Sequence, residues 1–220
     1  MPAVSAAATE RPRRKGERTA ERILDAAEAL FAERGYVGTT LRDVAERVEL
    51  RIPSLYNHFP NKDALYAAVL ERGIGPVLAM LSEVVEAGSA PDSERLMRRV
   101  MALLEMRPNL ARLVQQEILS GGQRLSPMLR EWIVPIFARA NDLVSSGPAS
   151  GRWSAEQAPL LVLAMYHVVV GYFTIAPLYM DLAGVDLTTR DAVAHQTELL
   201  VEMSRALFEA TGSRASAESD

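Results

Sequence analysis

TTLRDVAERVELRIPSLYNHFPNK, residues 39–62, is the stretch that decides how this chain is read. Thr40 stands as an N-cap with Asp43 three residues on, a short-armed version of a capping box, so a helix is predicted to start there. Leu41, Val44, Ala45 and Val48 then fall at helical spacing and form its inward face. Pro53 suits the first turn of a following helix, where its missing N–H is not needed. Pro60 ends that second helix. Two short helices joined by a tight turn are a way to place one of them in the DNA major groove. Just upstream, RPRRKGER (residues 11–18) carries five cations and one acid, which supply phosphate attraction independent of base sequence.

Toward the N-terminus, residues 1–17 are Ala-rich, polar and basic, and are expected to form a disordered arm. A first helix is predicted to open near Thr19 as N-cap, with Glu21 in its first turn. Ile23, Leu24, Ala27, Leu30 and Phe31 share one face of it, and Gly35 stops it. Toward the C-terminus, Asn61 caps a long fourth helix that Gly73, Gly75 and Pro76 are expected to interrupt and kink. Beyond Gly88 the pattern is helical nearly throughout. Helices are expected over about 92–106, from Pro108 to Gly121-Gly122, and from Ser126-Pro127 to the SSGPASG loop at 145–151. Ser154 and Gln157 form a capping box for the next one. The last runs from about Thr189 to Ala210, with Val193, Leu200, Met203 and Leu207 on one stripe, and 213–220 is expected to be a disordered tail. No strand or repeat is visible. The fold class is all-α, with an N-terminal three-helix unit over 18–62, a C-terminal helical domain over 63–212, and about nine helices in total.

The chain has 220 residues, 49% of them apolar, so a full core can be built. It has no cysteine, which excludes disulfides, a thiolate nucleophile and cysteine-ligated metal, and fits a reducing cytoplasm. The net charge of −4 is unevenly divided. Residues 1–62 hold 11 Lys/Arg against 9 Asp/Glu, whereas residues 63–220 hold 13 against 19. A DNA-facing end and an acidic body that stays off phosphate have this signature. No apolar h-region marks a signal peptide. Residues 158–180, APLLVLAMYHVVVGYFTIAPLYM, are long enough to span a bilayer. His167 near the middle, Pro177 near the end and the absence of a flanking Lys/Arg cluster argue against spanning. Enzyme chemistry finds little footing. The histidines are His58, His167 and His195, with no HExxH, Glu-x-x-His pair, Walker loop or dinucleotide glycine motif. Asp191 and His195 at i, i+4 read as a surface pair. No catalytic residue, metal site or cofactor is assigned.

The stretches ILDAAEALFAERGYVGTTLRDVAERV and PSLYNHFPNKDAL resemble the TetR family of transcriptional regulators. Gly35-Tyr36, Thr39-Thr40, Val44-Ala45, Leu55-Tyr56, His58-Phe59 and Lys62 fall at that family's spacing. Two positions depart from it. Glu49 stands where the family often has Gly, so the turn must be made without its usual residue for φ > 0. Arg51 stands where Ser or Thr often caps the recognition helix. The resemblance implies that the third helix, about Ile52 to His58, enters the major groove. Arg51, Ser54 and Asn57 then meet base edges, with Pro53 and Ile52 available for apolar contacts. Thr40, Tyr56, His58 and Lys62 hold phosphates, and Thr40 and Lys62 gain from the free N–H groups of helix N-termini. Arg42 is a further phosphate candidate, and Arg13, Arg14, Lys15 and Arg18 form the arm. Tyr56 and Phe59 also suit plain core positions, and Phe59 is expected to be one.

The resemblance further implies a homodimer built from the last two long helices, reading a palindromic operator on double-stranded DNA. The apolar helix around residues 158–180 either forms that interface or is buried within one monomer. An effector pocket is implied in the body, with Met80, Met106, Met128, Trp132, Phe137, Met165, Tyr166, His167 and Phe173 as candidate liners. His167 either orients a ligand or bonds a neighbouring carbonyl. The function so implied is a ligand-responsive repressor, cytoplasmic and outside the membrane, released from DNA by a small, largely apolar effector. In the expected mechanism the fourth helix moves about the Gly73–Pro76 kink and tilts the heads out of register. The alternative is a helical small-molecule-binding protein or enzyme without DNA binding.

Overall fold

Eight helices make up the described part of the computed structural model, which covers residues 15–86, 93–124, 153–154 and 156–208. They are α1 (Lys15–Gly38), α2 (Leu41–Arg47), α3 (Ile52–Tyr56), α4 (Lys62–Glu86), α5 (Ser93–Met106), α6 (Pro108–Leu119), α7 (Gln157–Ala183) and α8 (Arg190–Phe208). No strand occurs among the described residues. The expected helix after Ser126-Pro127, residues 1–14 and the C-terminal tail lie outside them.

The head is built around α1. Ile23, Ala27, Leu30 and Phe31 are buried against Val44, Ala45, Val48 and Leu55 from α2, α3 and their turn. Leu65, Tyr66 and Val69 on α4 close the same cluster. Helix α1 starts at Lys15 rather than near Thr19. Thr19 therefore does not cap it. Its hydroxyl donates to Lys15 O at 3.0 Å, the back-bond of a residue already inside a helix. Gly35 does break the helical run, with φ +71° and ψ 175°.

Helix α4 is not interrupted at Gly73, Gly75 and Pro76 but runs unbroken through them. Two contacts explain how. A proline at 76 leaves the carbonyl of residue 72 without its i+4 donor. Arg107, at the α5–α6 junction, donates Nη1 to Arg72 O at 3.1 Å and takes that role. Gly73 lies where α4 meets α6 so closely that a Cβ would stand 2.5 Å from Leu110 Cδ1. The glycine thus serves close packing rather than a break. The Arg72 side chain meanwhile grips α1, pairing with Asp25 at 2.6 Å and Glu28 at 2.7 Å. Burial works against its charge, but the Asp25 and Glu28 carboxylates outweigh it and hold the guanidinium above its ordinary pKa.

In the body, α5 packs on α8 and α6 lies between α1 and α7. Val193, Leu200 and Val201 of α8 are buried, and Met203 packs against them. The Ser154–Gln157 capping box forms, Ser154 N–H donating to Gln157 Oε1 at 2.9 Å and Gln157 N–H to Ser154 Oγ at 3.3 Å. Gly184, at φ +67°, closes α7 in the left-handed region. Helix α7 is long and apolar enough to cross a membrane, yet only 22% of its most apolar window is buried in the monomer. Most of that window is therefore not buried among the described residues.

Candidate nucleic-acid interface

The first motif helix, α2, is held at both ends. Thr40 caps α2 with the predicted box: Asp43 N–H donates to Thr40 Oγ1 at 3.2 Å, and Thr40 N–H donates to Asp43 Oδ2 at 2.7 Å. The Thr40 hydroxyl also donates to Asp43 Oδ2 at 2.7 Å, and these bonds hold the carboxyl below its ordinary pKa. Thr39, next to it, is fully buried. Its Oγ1 stands 3.1 Å from Leu30 O and 2.9 Å from Gly35 O, so one hydroxyl proton serves two carbonyls at the end of α1. Arg22 reaches from α1 to donate to Val48 O at 2.9 Å and ties down the end of α2.

The turn between α2 and α3 passes through the left-handed region at Glu49, with φ +56°. Glu49 thus takes the left-handed conformation itself, and the strain falls on a side-chain-bearing residue. Arg51 is the N-cap of α3 and makes no side-chain cap, as its chemistry requires. Helix α3 itself is short. After Tyr56 the chain turns, with His58 and Phe59 N–H both donating to Leu55 O. Leu55 is fully buried and orients everything around it. Arg51, Pro53, Tyr56 and Asn57 are exposed, Ser54 and His58 are half-buried, and Ile52 and Phe59 pack against the core. Asn61 caps α4 as expected, accepting from Ala64 N–H at 2.8 Å.

An open cleft of about 470 Å³ collects the motif's polar groups. Its walls are Thr39, Thr40, Leu41, Arg42, Ile52, Tyr56 and Lys62, contributed by α2 and the two residues before it, α3, and the first residue of α4. Four of the phosphate candidates, Thr40, Arg42, Tyr56 and Lys62, meet here, while Arg51, Pro53 and Asn57 stand exposed beside them. Lys15 and Arg18 are exposed on the first turn of α1, and Arg13 and Arg14 lie outside the described residues. Lys62 has its ammonium 4.2 Å from the Tyr36 ring centroid. Burial, and then the nearby Arg124 charge, hold its pKa below the ordinary value, partly offset by Asp63 and Asp43.

The body candidates do not come together in the same way. Met106 is 74% exposed. His167 is exposed too, and its Nδ1 lies 2.7 Å from Leu163 O on its own helix, the neighbouring-carbonyl outcome. Phe173 is core, and Met165 and Tyr166 are packed against that core. Tyr166 has a buried hydroxyl without a hydrogen-bond partner, and burial raises its pKa. Met80 is half-buried on α4, and Met128, Trp132 and Phe137 lie outside the described residues. Sequence reasoning missed Thr39, Arg22, Arg107 and Arg124. All but Thr39 act across the fold, and Thr39 was hidden because Thr40 beside it carries the visible capping pattern.

Residues 23–69 match the model for bacterial regulatory proteins of the tetR family, and residues 92–203 match that for the tetracyclin repressor-like C-terminal domain. The repressor DhaR of Mycobacterium sp. (strain GP1) is 29% identical over 85 residues, 39% of this chain and 43% of that protein. The biofilm operon negative regulator IcaR of Staphylococcus epidermidis is 43% identical over 51 residues, 23% of this chain and 28% of that protein. The matches thus span less than half the length of these curated relatives. A transcriptional regulator from Streptomyces coelicolor superposes with a TM-score of 0.59 at 21% identity, covering 86% of this chain and 98% of that one, which bears on fold alone.

Proposed function

Because this chain belongs to the TetR family of bacterial regulators, we propose that it is a DNA-binding transcriptional repressor. It reads a palindromic operator as a homodimer and is released by a small, largely apolar effector. One observation carries the DNA reading: Thr40, Arg42, Tyr56 and Lys62 line a single cleft, with Arg51, Pro53 and Asn57 exposed beside it. The first four hold phosphate and the last three meet base edges, with Ser54 and His58 at the margin. Repression is supported by the names of the curated relatives.

The exposed apolar face of α7 supports the dimer. Ile175, Leu178, Tyr179 and Leu182 follow helical spacing and are 43–75% exposed. A second copy covers this face and brings two heads to one duplex. Such a cover also accounts for a long apolar helix in a cytoplasmic protein without a membrane. The effector reading rests on the family, and the buried Tyr166 hydroxyl, which has no hydrogen-bond partner among the described residues, is the polar group a ligand beside α7 would meet.

The test is capture of sheared genomic DNA on the purified protein at moderate salt, followed by sequencing. One or a few palindromic sites are expected. No enrichment, even at low salt where phosphate contacts are strongest, would sink the DNA reading.

A further inference from the structure

Arg124 follows α6, in the body, yet its side chain reaches the head. Its guanidinium carbon stands 3.6 Å from the Tyr36 ring centroid, and its Nε is 3.5 Å from Asp63 Oδ1. The same ring carries the Lys62 ammonium at 4.2 Å, and the Tyr36 hydroxyl donates to Asp63 Oδ1 at 2.7 Å. Two cations and one carboxylate thus share one tyrosine. Arg124 is also held by its backbone. Its N–H donates at 2.8 Å to Glu117 Oε1, and Glu117 is 1% exposed and accepts from Tyr66 at its other oxygen.

We infer that Arg124 is a positioning residue for the DNA-phosphate contact of Lys62: it occupies the Asp63 carboxylate and keeps the neighbouring ammonium unpaired on the wall of the cleft. The reasoning is electrostatic competition. Asp63 lies beside the ring on which Lys62 rests, so a free Asp63 carboxylate would draw the ammonium away from the cleft. A neutralised Lys62 has less charge to give a phosphate and releases fewer counterions. Arg124 competes with Lys62 for that carboxylate, its Nε standing 3.5 Å from Asp63 Oδ1. This inference rests on the proposed reading of Lys62 as a phosphate contact.

The experiment measures binding of a labelled random-sequence duplex across a range of salt concentrations, on the full chain, with a melting curve for each variant. Lys62→Ala is expected to weaken binding and flatten the log affinity against log salt plot by about one unit per protomer. Arg124→Ala is expected to weaken binding about two- to fivefold, the scale of one exposed ion pair, and to flatten the same plot. Arg124→Lys should retain most of the affinity. The decisive arm is Asp63→Asn. In that background Arg124→Ala should cost nothing, because no carboxylate remains to capture Lys62. Equal losses from Arg124→Ala in both backgrounds would show that Arg124 acts through its own charge, overturning the inference and leaving the Lys62 reading intact. No change in affinity or slope for Lys62→Ala would overturn the phosphate reading and the inference together.

Discussion

In the head, Ile23, Ala27, Phe31, Val44, Leu55 and Leu65 have no exposed surface, whereas on α7 Leu160, Leu178 and Leu182 keep 62, 51 and 75% of theirs. The two regions are made of similar residues, and the contrast lies in what covers them. The head closes over its core with α1 to α4, and α6 packs against α1 from the body side. The body leaves a helical stripe, Ile175, Leu178, Tyr179 and Leu182, facing outward. A head finished within one chain and a body that is not fit a protein whose reading element acts in pairs. The largest effect should therefore come from the stripe. Leu178→Glu with Leu182→Glu places four carboxylates in a two-fold interface, and unpaired buried charges are costly. Sedimentation should show a monomer where the proposed wild-type assembly is a dimer, with operator affinity lower by about 10²–10⁴-fold as the second head's tethering is lost. A wild-type chain that sediments as a monomer would break the comparison at its root.

Single truncations sharpen it. Leu30→Ala empties a filled site in the head and should cost about 2–5 kcal/mol in urea unfolding. Leu182→Ala, measured at a dilution where dimers have separated, should stay within about 0.5 kcal/mol. Equal costs at the two sites would mean that the α7 face is already covered within the monomer.

The head was legible from sequence because its signals are local. Thr40 with Asp43, Pro53, Asn61 and the 3.6-residue spacing of α1 and α2 act over a few residues, and each reappears in the structure. What could not be read is made by contacts between distant residues. Pro76 reads as a break until Arg107, 31 positions away, supplies the missing donor to Arg72 O. Gly73 reads as a hinge until Leu110 occupies the space beside it. Lys62 is legible as a phosphate candidate, but Arg124 beside it is not, because nothing in the sequence around 124 points to Tyr36. Met106 and His167 are pocket candidates by residue type alone, whereas their exposure is a property of the whole fold.

A smaller effect tests how the head is fastened. Thr40→Ala removes the cap of α2 and should cost about 1 kcal/mol at neutral pH. The cap lowers the Asp43 pKa in the folded state, so its contribution is present above the ordinary carboxylate range and is lost as pH falls through the lowered value. The difference in melting temperature between wild type and Thr40→Ala should accordingly narrow in acid. A gap that does not change with pH would assign the stabilisation to the hydroxyl alone, with no part for the Asp43 charge.

The smallest effect has the opposite sign and lies in the same turn. Glu49 holds φ +56°, a conformation in which an L side chain crowds its own backbone. Glycine removes that crowding but widens the unfolded ensemble, so Glu49→Gly should stabilise by a net of about 0.5–1 kcal/mol. Glu49→Ala is the control. It removes the same charge without relieving the backbone, so a gain shared by both variants would be electrostatic, and a gain confined to glycine would be conformational. The second outcome would mean that the head, although filled, carries strain at the one turn that sets the angle between α2 and α3. That strain would then be a cost of the reading geometry, and the body has no described counterpart to it, since its left-handed positions at Gly121, Gly122 and Gly184 are all glycine.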